Sequence, residues 1–198
     1  MGATDVNLAE LIGSRICHDL ISPIGAITNG LELLEMVGAS SGPEMDLISG
    51  SVGSAGAKVR FFRVAFGAAS DQPLGPAEVN SLLKDIEQAS RVRVRWHVVE
   101  PMPRNQVKLA FLALLCCESA MPMGGEVDIS VSGRSWQVVG SADVMKLDNA
   151  LWKVLPGGQF ESQVTPAQVQ FALLPKTAAS MGRRVAVETA ATRVAIRF

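Results

Sequence analysis

Along the first 66 positions apolar residues recur at intervals of three and four, with almost no alternation by two. Leu8, Ile12, Ile16, Leu20, Ile24, Ile27, Leu31 and Leu34 form one stripe between Asn7 and Val37, the signature of a long amphipathic helix. The run GASSGP at 38–43 supplies a turn, and a second stripe follows at Met45, Ile48, Val52, Ala55, Val59, Phe62 and Phe66. Residues 1–70 are therefore expected to form a helical hairpin. Two helices bury a single seam, so a hairpin this long packs on the rest of the chain or pairs with a second copy as a four-helix bundle. The homodimer is the expected arrangement. Gly50, Gly53, Ala55, Gly56 and Ala57 fit that expectation. Each glycine weakens an isolated helix by ~1 kcal/mol relative to alanine, which is best explained where helices approach closely.

After the polar break GAASDQPLGP at 67–76 the period changes, which sets a domain boundary near residue 70. PAEVNSLLKDIEQAS reads as a helix. RVRVRWHVV at 91–99 alternates, with Val92, Val94, Trp96 and Val98 on one face and Arg91, Arg93, Arg95 and His97 toward solvent. A helix over RNQVKLAFLALLCCESA leads into a strand pair, MGGEVDISVSG and RSWQVVGSA. TPAQVQFALLPKTAASMG predicts a helix interrupted by Pro175 and stopped at Gly182, followed by strands in RRVAVET and TRVAIRF. Residues 71–198 thus read as an α/β sandwich, one sheet with helices on one face, and the chain as an α+β fold. No internal repeat or low-complexity tract interrupts it.

Composition narrows the function. The 198 residues are 48% hydrophobic, enough for a sizeable core, and 18 basic against 19 acidic residues leave a net charge of -1. A field this weak argues against nucleic acid. The start lacks the basic head and apolar run of a signal peptide, and no apolar stretch approaches the roughly 20 residues of a bilayer span, so no membrane is expected. Three cysteines, Cys17, Cys116 and Cys117, are an odd count with two adjacent, which fits small buried hydrophobes in a reducing cytoplasm.

One of the two histidines, His18, interrupts the first helix in the stretch SRICHDLISPIG. At about 100° per residue Ser14, His18, Ser22, Gly25 and Asn29 share one narrow sector opposite the apolar stripe. His18 is thus expected to be exposed among small side chains that let another surface approach. A neutral imidazole, with its ordinary pKa of about 6.5, is nucleophilic near neutral pH and can accept a phosphoryl group directly. Asp19 can orient the ring or hold its proton, although neighbours on a helix diverge by about 100°. Pro23 removes a backbone donor and is expected to bend the helix. Spacing alone leaves a surface nucleophile and an incidental histidine both open. A metal site is weaker, because Cys17 and His18 point apart and Cys116, Cys117 and His97 lack ligand spacing. No carboxylate pair, Ser/His/Asp arrangement or phosphate-cradling loop stands out, and the glycines at 124 and 125 suit a turn.

HDLISP has the form H-[DE]-x-x-x-P and resembles the segment around the phosphoacceptor of sensor histidine kinases. SRICHDLISPIGAITNGLELL together with KVRFFRVAFGAAS is similar to the ChpT-like histidine phosphotransferases of the alphaproteobacterial phosphorelay, in sequence over the first 70 residues and in layout over the rest. The resemblance implies that His18 and Asp19 carry the chemistry. Ser14, Arg15, Ser22, Pro23, Gly25, Arg60 and Arg63, with Lys58 beside them, would adjoin the phosphoryl group or a docked receiver domain. Ser22 stands where kinases with phosphatase activity carry a water-orienting polar residue. The resemblance also implies a homodimer that meets receiver domains of a CckA-like hybrid kinase and of CtrA-like response regulators. This chain would bind no cofactor and no metal, with Mg²⁺ on the partner receiver.

The second domain would be a degenerate ATP-binding sandwich of the Bergerat, or GHKL, type. Where kinases place a magnesium-holding asparagine, LLCCESAMPMGGEV has Cys116, Glu118 and Ser119. VVGSADV lacks the D-x-G-x-G that reads adenine, and GGQFESQVTPAQVQFALL lacks a G-x-G lid. Without those groups neither metal nor triphosphate has its ligands, so the expectation is a relay rather than an ATP-dependent kinase. An ATP-dependent sensor kinase core and a non-catalytic dimeric adaptor are the alternatives.

Overall fold

The computed structural model describes residues 3–37, 42–68, 72–157 and 164–198. Most of the GASSGP turn, the middle of the 67–76 break and residues 158–163 of the lid segment lie outside the described residues, as does the Cys17 side chain. Helix α1 (Ala3–Val37) packs along α2 (Pro43–Ala65), which opens with proline in its first turn and Glu44 and Asp46 beside its N-terminus. At Gly30 the helices approach so closely that an added Cβ would fall 2.5 Å from Ile48 Cγ1. Gly50 and Gly53, expected at the close approach, have nothing within 4 Å of where a Cβ would stand. The seam between the two helices leaves Ile24, Leu31, Val52 and Val59 exposed.

Neither proline breaks its helix. Pro23 lies inside α1, and Pro175 inside α6 (Val169–Ser180), which runs past it to a stop at Gly182 with φ +66°. The interruption expected at Pro175 is therefore replaced by a continuous helix, and α1 likewise runs through Pro23 despite the lost hydrogen bond.

The C-terminal end of α2 enters the core of the following region. Phe61 stacks on Phe111 at 4.6 Å and 8°, and Phe61, Phe62, Val64 and Ala65 belong to the same buried cluster as the sheet. Such a ring pair contributes about 0.5–1.5 kcal/mol beyond the area it buries. Helix α4 (Arg104–Ser119) is apolar nearly all round, buried at Val107 and from Leu109 to Cys117, as befits a central helix. Around it stand a two-residue ladder of β1 (Pro73–Leu74) with β3 (Met102–Pro103), helix α3 (Pro76–Glu87), the short α5 (Asn149–Trp152) and α6.

The five-stranded sheet comprises β2 (Val92–Trp96), β4 (Gly125–Ser132), β5 (Ser135–Ser141), β6 (Ala186–Ala190) and β7 (Arg193–Arg197), in the order β2-β4-β5-β7-β6. β2 and β4 are parallel and the other pairs antiparallel. Alternation holds: Val127, Ile129, Trp136, Val138, Val194 and Ile196 are buried, while Arg95, Glu126 and Asp128 stay on the open face. Trp136 lies 5.6 Å from Trp96 and stacks on Phe198 at 6.2 Å.

Four polar contacts fasten the hairpin to this region. Lys108 Nζ donates to Gly67 O at 2.7 Å and Arg104 Nη2 to Arg63 O at 3.2 Å, so cations meet the carbonyls at the end of α2. Burial pushes the Lys108 ammonium below its ordinary pKa. Arg60 pairs with Asp85 of α3 at 2.9 Å, and Arg15 of α1 reaches the 3-10 turn Pro166–Gln168.

Candidate phosphoacceptor site

His18, on the sector of α1 opposite the seam, is 81% exposed, and Ser14, Ser22, Gly25 and Asn29 are exposed with it. A Cβ at Gly25 would meet nothing within 4 Å, which leaves the approach to the ring open. His18 Nδ1 donates to Asp19 Oδ1 at 3.1 Å, so the carboxylate assigns the proton of the neutral ring to Nδ1. Nε2 makes no hydrogen bond among the described residues, and its lone pair points to solvent chemistry. Adjacent residues on a helix thus do meet here, because the short Asp19 side chain folds back beneath the imidazole.

Asp19 is itself held. Only 17% of its side chain is exposed, and Oδ2 accepts from Arg15 Nε at 2.7 Å. The same guanidinium donates through Nη1 to Ala167 O at 2.9 Å. From α2, Lys58 Nζ donates to the Asp19 backbone carbonyl at 2.9 Å. A cleft of about 410 Å³ lies beneath, walled by Arg15, Asp19, Lys58, Glu118, Ser90 and Gln170. Burial pushes the Glu118 carboxyl above the ordinary range, against a hydrogen bond from Ser90 at 3.0 Å and the fields of Arg15 and Lys58. The result is an exposed nucleophilic nitrogen whose tautomer is set by a carboxylate anchored on two sides. Among the described residues no cluster of His, Cys, Asp or Glu could hold a metal ion.

The family model described as histidine phosphotransferase C-terminal domain matches residues 76–193, more than half of the chain. The chain belongs to the histidine phosphotransferase family. It is 37% identical over 131 residues to the protein phosphotransferase ChpT of Brucella abortus (strain 2308), a match covering 65% of this chain and 62% of that protein's length. The solved 1.7 Å structure of a bacterial phosphotransferase superposes with a TM-score of 0.82 at 28% identity, covering 100% of this chain and 97% of that one.

Within this member of the family the remaining sequence candidates divide. Ser14, Ser22 and Gly25 are exposed on α1 together with His18. Pro23 does not belong to that face: it is buried and lines the groove toward α2 with Leu47, Gly50 and Ser51. Arg15, Lys58 and Arg60 are engaged below the helix or on α3 rather than held ready for a phosphoryl group, because each finds a carboxylate or carbonyl within its own chain. Arg63 is exposed at the last turn of α2. Ala167, Ser90 and Gln170 escaped sequence reading, since nothing local marks a partner more than seventy residues away.

His97 follows β2 on the open face of the sheet, with Nε2 2.6 Å from Asp128 Oδ1. Cys116 and Cys117 are buried free thiols; burial raises both, Cys117 to about 12, so neither is a thiolate near neutral pH. Among the described residues no helix is long and apolar enough to cross a membrane.

Proposed function

We propose that this protein relays a phosphoryl group between receiver-domain aspartates through His18. Nε2 attacks the phosphorus of an aspartyl phosphate, the P–O bond to the donor carboxylate breaks, and an N–P bond forms. The ring then carries a positive charge, which the Nδ1–H donation to Asp19 stabilises; the reverse attack by a second receiver's carboxylate restores neutral His18. The observation that carries this reading is the single-sided engagement of an 81% exposed imidazole, with Nδ1 bound and Nε2 open.

The receiver brings Mg²⁺, and this chain brings the aimed nitrogen and a docking face. By resemblance, Cys116, Glu118 and Ser119 stand where kinases place a magnesium-holding asparagine, which supports a relay without ATP; of these, Glu118 lines the cleft under Asp19. The proposed partners are a CckA-like hybrid kinase receiver and CtrA-like regulators, by resemblance. A second copy of the chain would complete a four-helix bundle. Ile21, Ile24 and Leu31 on α1 and Val52 and Val59 on α2 are exposed at spacings of three and seven, the pattern of a helical seam.

Incubation with a receiver domain carrying labelled phosphate, and separately with labelled ATP, tests the relay. Label is expected on wild-type protein from the receiver alone, and none on His18→Ala. Label from ATP would make the protein a kinase, and label from neither an adaptor.

A further inference from the structure

In an α-helix the carbonyl of residue i accepts from the N–H of residue i+4. Asp19 stands four residues before Pro23, which has no N–H and whose ring crowds that same carbonyl. Pro23 is buried on the side of α1 that faces α2, and Lys58 of α2 reaches Asp19 O at 2.9 Å. A half-buried ammonium therefore stands in for the missing amide, in a charge-assisted bond to the residue whose carboxylate meets His18 Nδ1 at 3.1 Å. Arg15 fixes the Asp19 side chain from one direction and Lys58 its main chain from the other.

We propose that Lys58 is a positioning residue for phosphotransfer: it holds the proline-disrupted turn of α1 so that Asp19 stays aimed at His18 Nδ1. The proposal rests on the reading of His18 as the phosphoryl acceptor. It gives Lys58 a role distinct from neutralising a phosphoryl group, because the ammonium lies beneath the helix while the open ring nitrogen lies above it. It also makes a specific demand: Lys58 matters because of Pro23.

The test is a double-mutant cycle on the full chain, read by transfer from a labelled receiver domain and by ¹⁵N chemical shifts of the His18 ring without phosphate, with circular dichroism confirming fold. Lys58→Met is expected to slow transfer about ten-fold, the worth of one charge-assisted hydrogen bond, and to mix the ring tautomers. Lys58→Arg should recover most of the rate. Pro23→Ala returns an amide to the Asp19 carbonyl, so in that background Lys58→Met should cost about two-fold or less and the Nδ1-protonated tautomer should return. The proposal is overturned if Lys58→Met slows transfer equally with and without Pro23→Ala, or leaves both rate and tautomer unchanged. Failure of the relay reading looks different: wild-type protein would take no label, or His18→Ala would take it as well, while the tautomer measurement still decides Lys58.

Discussion

His18 and His97 each meet an aspartate, and the two pairs differ in what lies behind the carboxylate. His97 offers Nε2 to Asp128 at 2.6 Å on the open face of the sheet, where, among the described residues, Asp128 otherwise pairs only with Arg95 at 4.0 Å. His18 offers Nδ1 to Asp19, and Asp19 is tied by Arg15 to the Pro166–Gln168 turn and by Lys58 to α2. A solvated pair of the first kind contributes about 0–1 kcal/mol and exchanges partners freely. The second kind is a partly buried brace under an exposed nucleophile. Distance alone would rank His97 higher; reactivity follows from which nitrogen is left open and how firmly the carboxylate is held.

Substitution of the rings separates the pairs most widely. His18→Ala should reduce label accepted from a phosphorylated receiver to background, whereas His97→Ala should leave that rate unchanged. Next come the carboxylates: Asp19→Ala should slow transfer about 10- to 100-fold, the loss seen when a metal-bound histidine is deprived of its orienting carboxylate, and Asp128→Ala should not. Arg15→Ala, which removes one of the two braces, should slow single-turnover transfer by a few-fold. An effect as large as that of Asp19→Ala would mean that the brace, rather than the carboxylate, sets the tautomer.

The smallest effect concerns Glu118. Its raised pKa means that the folded chain binds this proton more tightly than the unfolded chain, so stability from this group is full below the ordinary carboxylate range and is lost as pH rises through the raised value. Glu118→Gln, which keeps an acceptor for Ser90, should match wild type in acid and melt about one to three degrees higher at neutral pH. A uniform shift at all pH values would break that account.

Periodicity made the hairpin, the strands and the central helix legible, because amphipathic stripes and alternation depend on local burial alone. Ile24, Leu31, Val52 and Val59 mark the limit of that signal: a stripe announces that a face wants cover, and not whether the same chain supplies it. Pro175 was misread because the proline penalty is that of an isolated helix, while here α6 continues through it; at Pro23 the lost donor was legible, but not the distant lysine that answers the orphaned carbonyl at Asp19. The i,i+4 pairing of Arg15 with Asp19 was open to a reader of the sequence. Ala167, 152 residues from Arg15, was not.

The aromatic stack around Trp136 also divides the molecule optically. The chain has three tryptophans and no tyrosine, and Trp96, Trp136 and Trp152 all lie beyond the hairpin. Intrinsic fluorescence therefore watches the sheet region alone, while much of the helical circular dichroism comes from α1 and α2. Unfolding followed by both signals weights the two halves differently, and a gap between the curves shows whether the hairpin loosens before the sheet gives way.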